Sequence, residues 1–167
     1  MPWKQNYTIS DEKSLPDNEI RWPDGNRCCV SVVVDLSPAR GPEGVSMADL
    51  TNPMAQFGAH DGLDQLLAVL DRFDIKATFA VPAVIAQARP DRLRALIAQG
   101  HEIAANGLLH EDVSSLSKAD EKARLDLTTE IMTSKGFFDD EARPGLLLAI
   151  CLRGASQTRA TELIDDL

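Results

Sequence analysis

Cysteine is scarce in this chain, three in 167 residues, and two of the three are adjacent at Cys28 and Cys29. Neighbouring cysteines rarely bridge, and a Cys28–Cys151 pair is open but unsupported. A disulfide framework is therefore set aside in favour of reduced thiols in a cytoplasmic protein. No CxxC or HExxH spacing is present, so a standard zinc site is not expected. Positive charge is outnumbered, 17 Lys and Arg against 26 Asp and Glu, for a net charge of −9. That balance argues against a phosphate-tracking surface, hence against nucleic acid as a partner, and against docking to an anionic membrane. The N-terminus, Met1-Pro2-Trp3-Lys4-Gln5-Asn6, lacks the apolar run of a secretory signal. No apolar run approaches the roughly 20 residues of a membrane helix. Internal repeats and low-complexity segments are also missing.

What is present is ordinary for a globular domain: 44% apolar and 26% charged residues, with enough chain for one core. Residues 1–26 are polar and broken by Pro2, Pro16, Pro23 and Gly25, and read as an extended arm, either a disordered tail or a clasp on a neighbouring subunit. The β-branched run Cys29–Asp35 suits a strand buried on both faces and places a carboxylate at its C-terminal tip, where it either caps a turn or does chemistry. Residues 37–60, rich in Pro, Gly and Met, read as a long loop. Leu63, Leu66, Leu67 and Leu70 predict a helix over 62–73, with Asp61 as its N-cap. A second strand over 76–81 is stopped by Pro82, and a short helix follows over 83–88. The next helix starts at Pro90, turns Leu93, Leu96 and Ile97 inward and stops at Gly100. His101–Ala105 is a third strand, running into the polar stretch that ends His110-Glu111-Asp112. Ser117 caps a helix carrying Leu125, Ile131 and Met132; Gly145–Leu152 is a fourth strand leading to Arg153, and Gln157–Leu167 begins another helix. The alternation predicts an α/β fold with parallel strands and right-handed crossovers. Four strands are too few for a closed barrel, which takes about 250 residues.

Three landmarks fall in order: Asp35 at the first strand tip, Gly100-His101-Glu102-Ile103 through His110 after the third, and Arg153 after the fourth. Together they resemble the polysaccharide deacetylase, or NodB-homology, family. Phe57-Gly58-Ala59-His60-Asp61-Gly62 is similar to an element of its cytoplasmic branch, which includes peptidoglycan deacetylase-like proteins, allantoinases and cyclic-imide hydrolases. His60 stands where that branch usually has Arg. Arg21-Trp22-Pro23-Asp24-Gly25-Asn26-Arg27 resembles the branch's lead-in to the first strand. The resemblance runs from Arg21 to the end and weakens after Phe137. It implies a partial, distorted (β/α) barrel over 27–167, with the family's last strands, its acidic–Trp element and its final catalytic His missing. An open sheet of this kind exposes an edge, so a homo-oligomer is expected.

The resemblance also implies a hydrolase of non-peptide carbon–nitrogen bonds, in amides or cyclic amides. In metal-dependent relatives an Asp-x-Asp supplies a base and a ligand, and a His-x-x-x-His supplies two more ligands. Here Asp35 matches the base, Ser37 replaces the ligand Asp, Asn106 replaces the first ligand His, and His110 matches the second. A hydroxyl and an amide bind zinc far more weakly than carboxylate and imidazole. No cofactor is therefore expected, with zinc or another divalent metal on His110 as the alternative. Arg153 matches an Arg that orients the catalytic acid in the family. His60, Asn106, His110 and Glu111 are the candidate substrate contacts; Glu111, Asp112 or His60 could substitute as ligands, but the two acids read more readily as a solvated loop or a helix cap, and His101 as structural. The expected substrate is a small amide, a ureide or an N-acetyl sugar, hydrolysed without a metal. The alternative is a non-catalytic remnant or truncated scaffold of the same fold.

Overall fold

A β-branched pair followed by a carboxylate, Val33-Val34-Asp35, forms the first strand. In the computed structural model, which describes residue 21 and residues 23–138, this strand β1 (Val33–Asp35) pairs in parallel with β2 (Thr78–Val81). β2 pairs in parallel with β3 (Glu102–Ala105), so the sheet order is β1-β2-β3. The register aligns Asp35 with Ala80 and Ala80 with Ala104. The C-terminal tips of all three strands thus lie along one edge of the sheet.

Contacts divide the chain into Met1–Ser31 and Val32–Leu167. In the first unit, Pro23–Gly25 forms a short 3-10 turn, and Cys28, Cys29 and Val30 are exposed. In the second, β1 is shorter and more open than its composition predicts, with Val33 60% exposed. Among the described residues β1 hydrogen-bonds only β2, so it lies at the edge of the described sheet, where one side is open whatever the β-propensity.

The helices lie around this sheet. The stretch 37–60 is not one loop. Ser46 and Asp49 form a capping box that starts α1 (Met47–Leu50), each side chain accepting a backbone N–H from the other. Asn52 accepts from Met54 N and, with Pro53 at the first helical position, starts α2 (Pro53–Phe57). Asp61 does not cap α3 (Leu63–Arg72). A π turn over Gly58–Gly62 carries helical backbone straight from α2 into α3, leaving no free helix end there to cap. After β2, Pro82 ends the strand and α4 (Ala83–Ala88) and α5 (Pro90–Ala98) follow. α5 buries Leu93 and Leu96, while Ile97 lies at the edge of the stripe and is 41% exposed. Gly100, at φ +82, supplies the left-handed stop. Ser117 accepts from Asp120 N and opens α6 (Lys118–Ser134), which buries Leu125 and Met132 and half-buries Ile131. The fourth strand and last helix expected from the sequence lie outside the described residues.

The core gathers Phe79, Val81, Leu93, Leu96 and Met132, all fully buried. Each such side chain contributes about 1.5–3 kcal/mol relative to exposure. His101 belongs to this core. Ala77 N donates to its Nδ1 at 3.2 Å, and its ring meets Phe79 edge-on. Burial, reinforced by the nearby Lys76 charge, lowers its pKa and keeps it neutral.

The capping box yields a pH prediction. Hydrogen bonds from Ser46, then Arg40, lower the Asp49 pKa from 3.8 to about 2. Its folded-state pKa is below its unfolded one, so its stabilisation is complete above pH 4 and is lost as pH falls toward 2. Protection of the Asp49 and Leu50 amides against exchange, relative to their intrinsic rates, should fall across that window in the wild type. In Asp49→Asn the pH-dependent step should be missing.

Gly44 ties the β1 exit to the turn after β3. Its φ is +86, a Cβ there would lie 2.4 Å from Leu109 O, and Val45 N donates to that same oxygen at 2.7 Å. Gly44→Ala should therefore cost about 2 kcal/mol through backbone strain and overpacking, read as a lower denaturant midpoint.

Candidate active site

Both strand tips that carry polar side chains belong to the same edge of the sheet. Asn106 continues β3 by one residue, its N–H donating to Val81 O at 2.9 Å. From there the chain turns through Gly107 at φ +68 and reaches His110, which itself adopts φ +59. Two otherwise unpaired N–H groups at the start of α4 hold the turn: Ala83 N donates to Gly107 O and Val84 N to Leu108 O. The buried Glu111 fastens the other side. Its Oε2 accepts from Leu109 N at 2.7 Å, and its Oε1 accepts from Arg124 Nη1 of α6 at 2.8 Å.

These restraints bring Asp35, Asn106 and His110 together. Asp35 Oδ1 accepts from Ser37 N at 2.8 Å and from Asn106 Nδ2 at 3.2 Å. A carboxylate only accepts, so the Asn106 amide must turn its NH2 toward it. His110 Nδ1 lies 3.8 Å from Asp35 Oδ2, buried and with no hydrogen-bond partner. Asp35 thus does two things at once. Oδ1 caps the turn into Ser37, while the side chain stays 53% exposed.

Asp35 also lines a cavity of about 260 Å³, walled mainly by carbon side chains such as Leu50, Met54 and Ile85. Arg89 and Arg92 line the same cavity. Nothing in the sequence pattern singles them out, since arginines beside a helix start read as surface charge.

The remaining candidates make other contacts. His60 sits exposed on the π turn, and its Nε2 meets Arg89 Nη1 at 3.1 Å. Glu111 faces Leu109 N and Arg124, with both carboxylate oxygens engaged. Asp112 caps a 3-10 turn, accepting from Ser114 N at 2.9 Å. Arg153 lies outside the described residues.

A sequence model of the polysaccharide deacetylase family matches residues 52–139, just over half of the chain. The chain belongs to the polysaccharide deacetylase family. It is 38% identical over 56 residues to the chitooligosaccharide deacetylase of Sinorhizobium fredii, a match covering 34% of this chain and 26% of that protein. A Mycobacterium smegmatis structure described as a polysaccharide deacetylase superposes with a TM-score of 0.60 at 30% identity, covering 71% of this chain and 43% of that one. The PuuE allantoinase structure superposes with a TM-score of 0.60 at 22% identity, covering 76% of this chain and 48% of that one. This second likeness is one of fold. The family member described here therefore spans about a quarter of the curated relative and under half of the two solved chains. The parallel α/β sheet is the NodB-type fold expected from the sequence.

The metal used by many members of the family asks for carboxylate and imidazole donors. Around Asp35 this deacetylase-family chain offers one carboxylate, one imidazole, a hydroxyl and an amide whose NH2 faces the carboxylate. Among the described residues, no three His, Cys, Asp or Glu side chains gather where they could hold a metal ion. This donor set does not fit a family-type zinc site.

Proposed function

We propose that this site hydrolyses the carbon–nitrogen bond of a small amide or cyclic amide, with Asp35 as general base and without a resident metal. The observation carrying this reading is the half-exposed Asp35 carboxylate on a cavity wall, held by Ser37 N and Asn106 with His110 beside it. Water attacks the carbonyl carbon and gives its proton to Asp35. As the carbon–nitrogen bond breaks, the leaving nitrogen takes that proton from the Asp35 carboxyl, with His110 beside it. The products are a carboxylic acid and the released nitrogen group, and Asp35 is again a carboxylate. Asn106 is a positioning residue, its amide aiming the carboxylate.

Kinship with a chitooligosaccharide deacetylase supports amide hydrolysis as the reaction class. The small cavity and the Ser37 and Asn106 replacements favour a compact substrate such as a ureide or imide over a metal-dependent deacetylation. The test is a panel of allantoin, hydantoin, succinimide, succinamate and N-acetylglucosamine oligomers, assayed with a chelator and with added zinc. Turnover that survives chelation, in protein holding well under one equivalent of zinc, is the expected result. Activity only with stoichiometric zinc would overturn the metal-free mechanism, and no turnover of any compound would favour a non-catalytic scaffold.

A further inference from the structure

We infer that the cavity beside Asp35 selects amides that also carry a carboxylate, and that Arg89 is the residue that binds it. This rests on the reading of Asp35 as the reacting end of the same cavity, and adds the substrate's second functional group. Guanidinium groups remain charged at any working pH, and a cation on an apolar wall is expensive unless an anion meets it. Arg89 is half-buried, yet among the described residues its hydrogen bonds go only to neutral groups: Nη1 to His60 Nε2 at 3.1 Å and Nη2 to Gln56 Oε1 at 3.3 Å. Because arginine can only donate, His60 Nε2 must be the acceptor, so this contact uses the neutral imidazole with its proton on Nδ1.

These two contacts orient the fork without neutralising it. Arg92, on the same wall, is paired with Asp64. Its Nε is buried and has no hydrogen-bond partner, which leaves a second donor in the region. Of the two guanidiniums that line the cavity, Arg89 is therefore the one that no carboxylate meets among the described residues. A neutral substrate would leave Arg89 uncompensated, whereas a carboxylate would take the paired N–H donors that suit it best. At about 260 Å³ the cavity is at the small end for ligand pockets, so the acid and the amide belong to one compact molecule.

The test uses a near-isosteric pair, succinamate and succinamide, which differ at one end as carboxylate and carboxamide. Calorimetric titration into the full chain should show succinamate binding about 10-fold or more tightly than succinamide. Arg89→Gln should erase that preference, and Arg89→Lys should restore part of it, because a point charge replaces a fork. Circular dichroism of each variant separates loss of the pocket from loss of the fold. Equal affinities in the wild type, an unchanged preference in Arg89→Gln, or no saturable binding of either compound would overturn the assignment. Binding is read without turnover. A retained preference with no hydrolysis would sink the hydrolase reading alone, and hydrolysis of neutral amides with no preference would sink this inference alone.

Discussion

Asp35→Asn should lower kcat on the best substrate of the panel by about 10²–10⁴-fold with little change in KM, the loss expected when a general base is removed. The substitution separates the two jobs of this side chain. Asn takes Asx turns as readily as Asp, so the hydrogen bond from Ser37 N, and with it the local fold, should survive. What disappears is the basic oxygen, Oδ2, that faces His110. Thermal unfolding within a few degrees of wild type together with lost turnover would place the base at Asp35. Wild-type kcat in Asp35→Asn would reduce the residue to a turn cap.

Glu111→Ala should be the most destabilising single change near the site. It deprives Leu109 N of its acceptor and leaves the Arg124 guanidinium without its carboxylate, on a side chain still 36% exposed. Unsatisfied buried donors and broken buried pairs cost several kcal/mol, and solvent reaching Arg124 brings the expectation to about 2–3 kcal/mol. For a chain of this size that is a fall of roughly 5–10 °C in Tm. Glu111 also secures the turn that holds His110 at φ +59, a conformation disfavoured for any residue but glycine. A loss of kcat beyond the loss of folded protein is therefore expected. Glu111→Gln keeps an acceptor for Leu109 N and should recover part of both. An Ala variant with wild-type Tm would show that Arg124 and the turn need no carboxylate.

Some of this architecture can be read from local pattern. The runs before Pro82 and through Ala105, the leucines of α3, and Ser117 ahead of α6 declare their elements because periodicity and capping act over a few residues. The same reasoning passed over α1 and α2. Their caps, Ser46 with Asp49 and Asn52 with Pro53, lie in a stretch whose Pro and Gly content reads as loop. It also over-extended β1, since β-branched residues cannot say whether a strand will be flanked on both sides. Asp61 was misplaced as a cap because a π turn made the backbone continuous.

The sequence by itself determined the chemistry on offer: a carboxylate at Asp35, an amide at Asn106, a hydroxyl at Ser37 and one imidazole at His110, a poor set of zinc donors. That follows from residue identity alone. Only the tertiary structure decided that Asp35 and Asn106, 71 positions apart, share a hydrogen bond, because parallel register is set by how whole strands and helices pack. It also engaged both carboxylate oxygens of Glu111 in a buried brace, and set Arg89 on the wall of the cavity that Asp35 lines. Which charge meets which is a long-range matter, and no local pattern carries it.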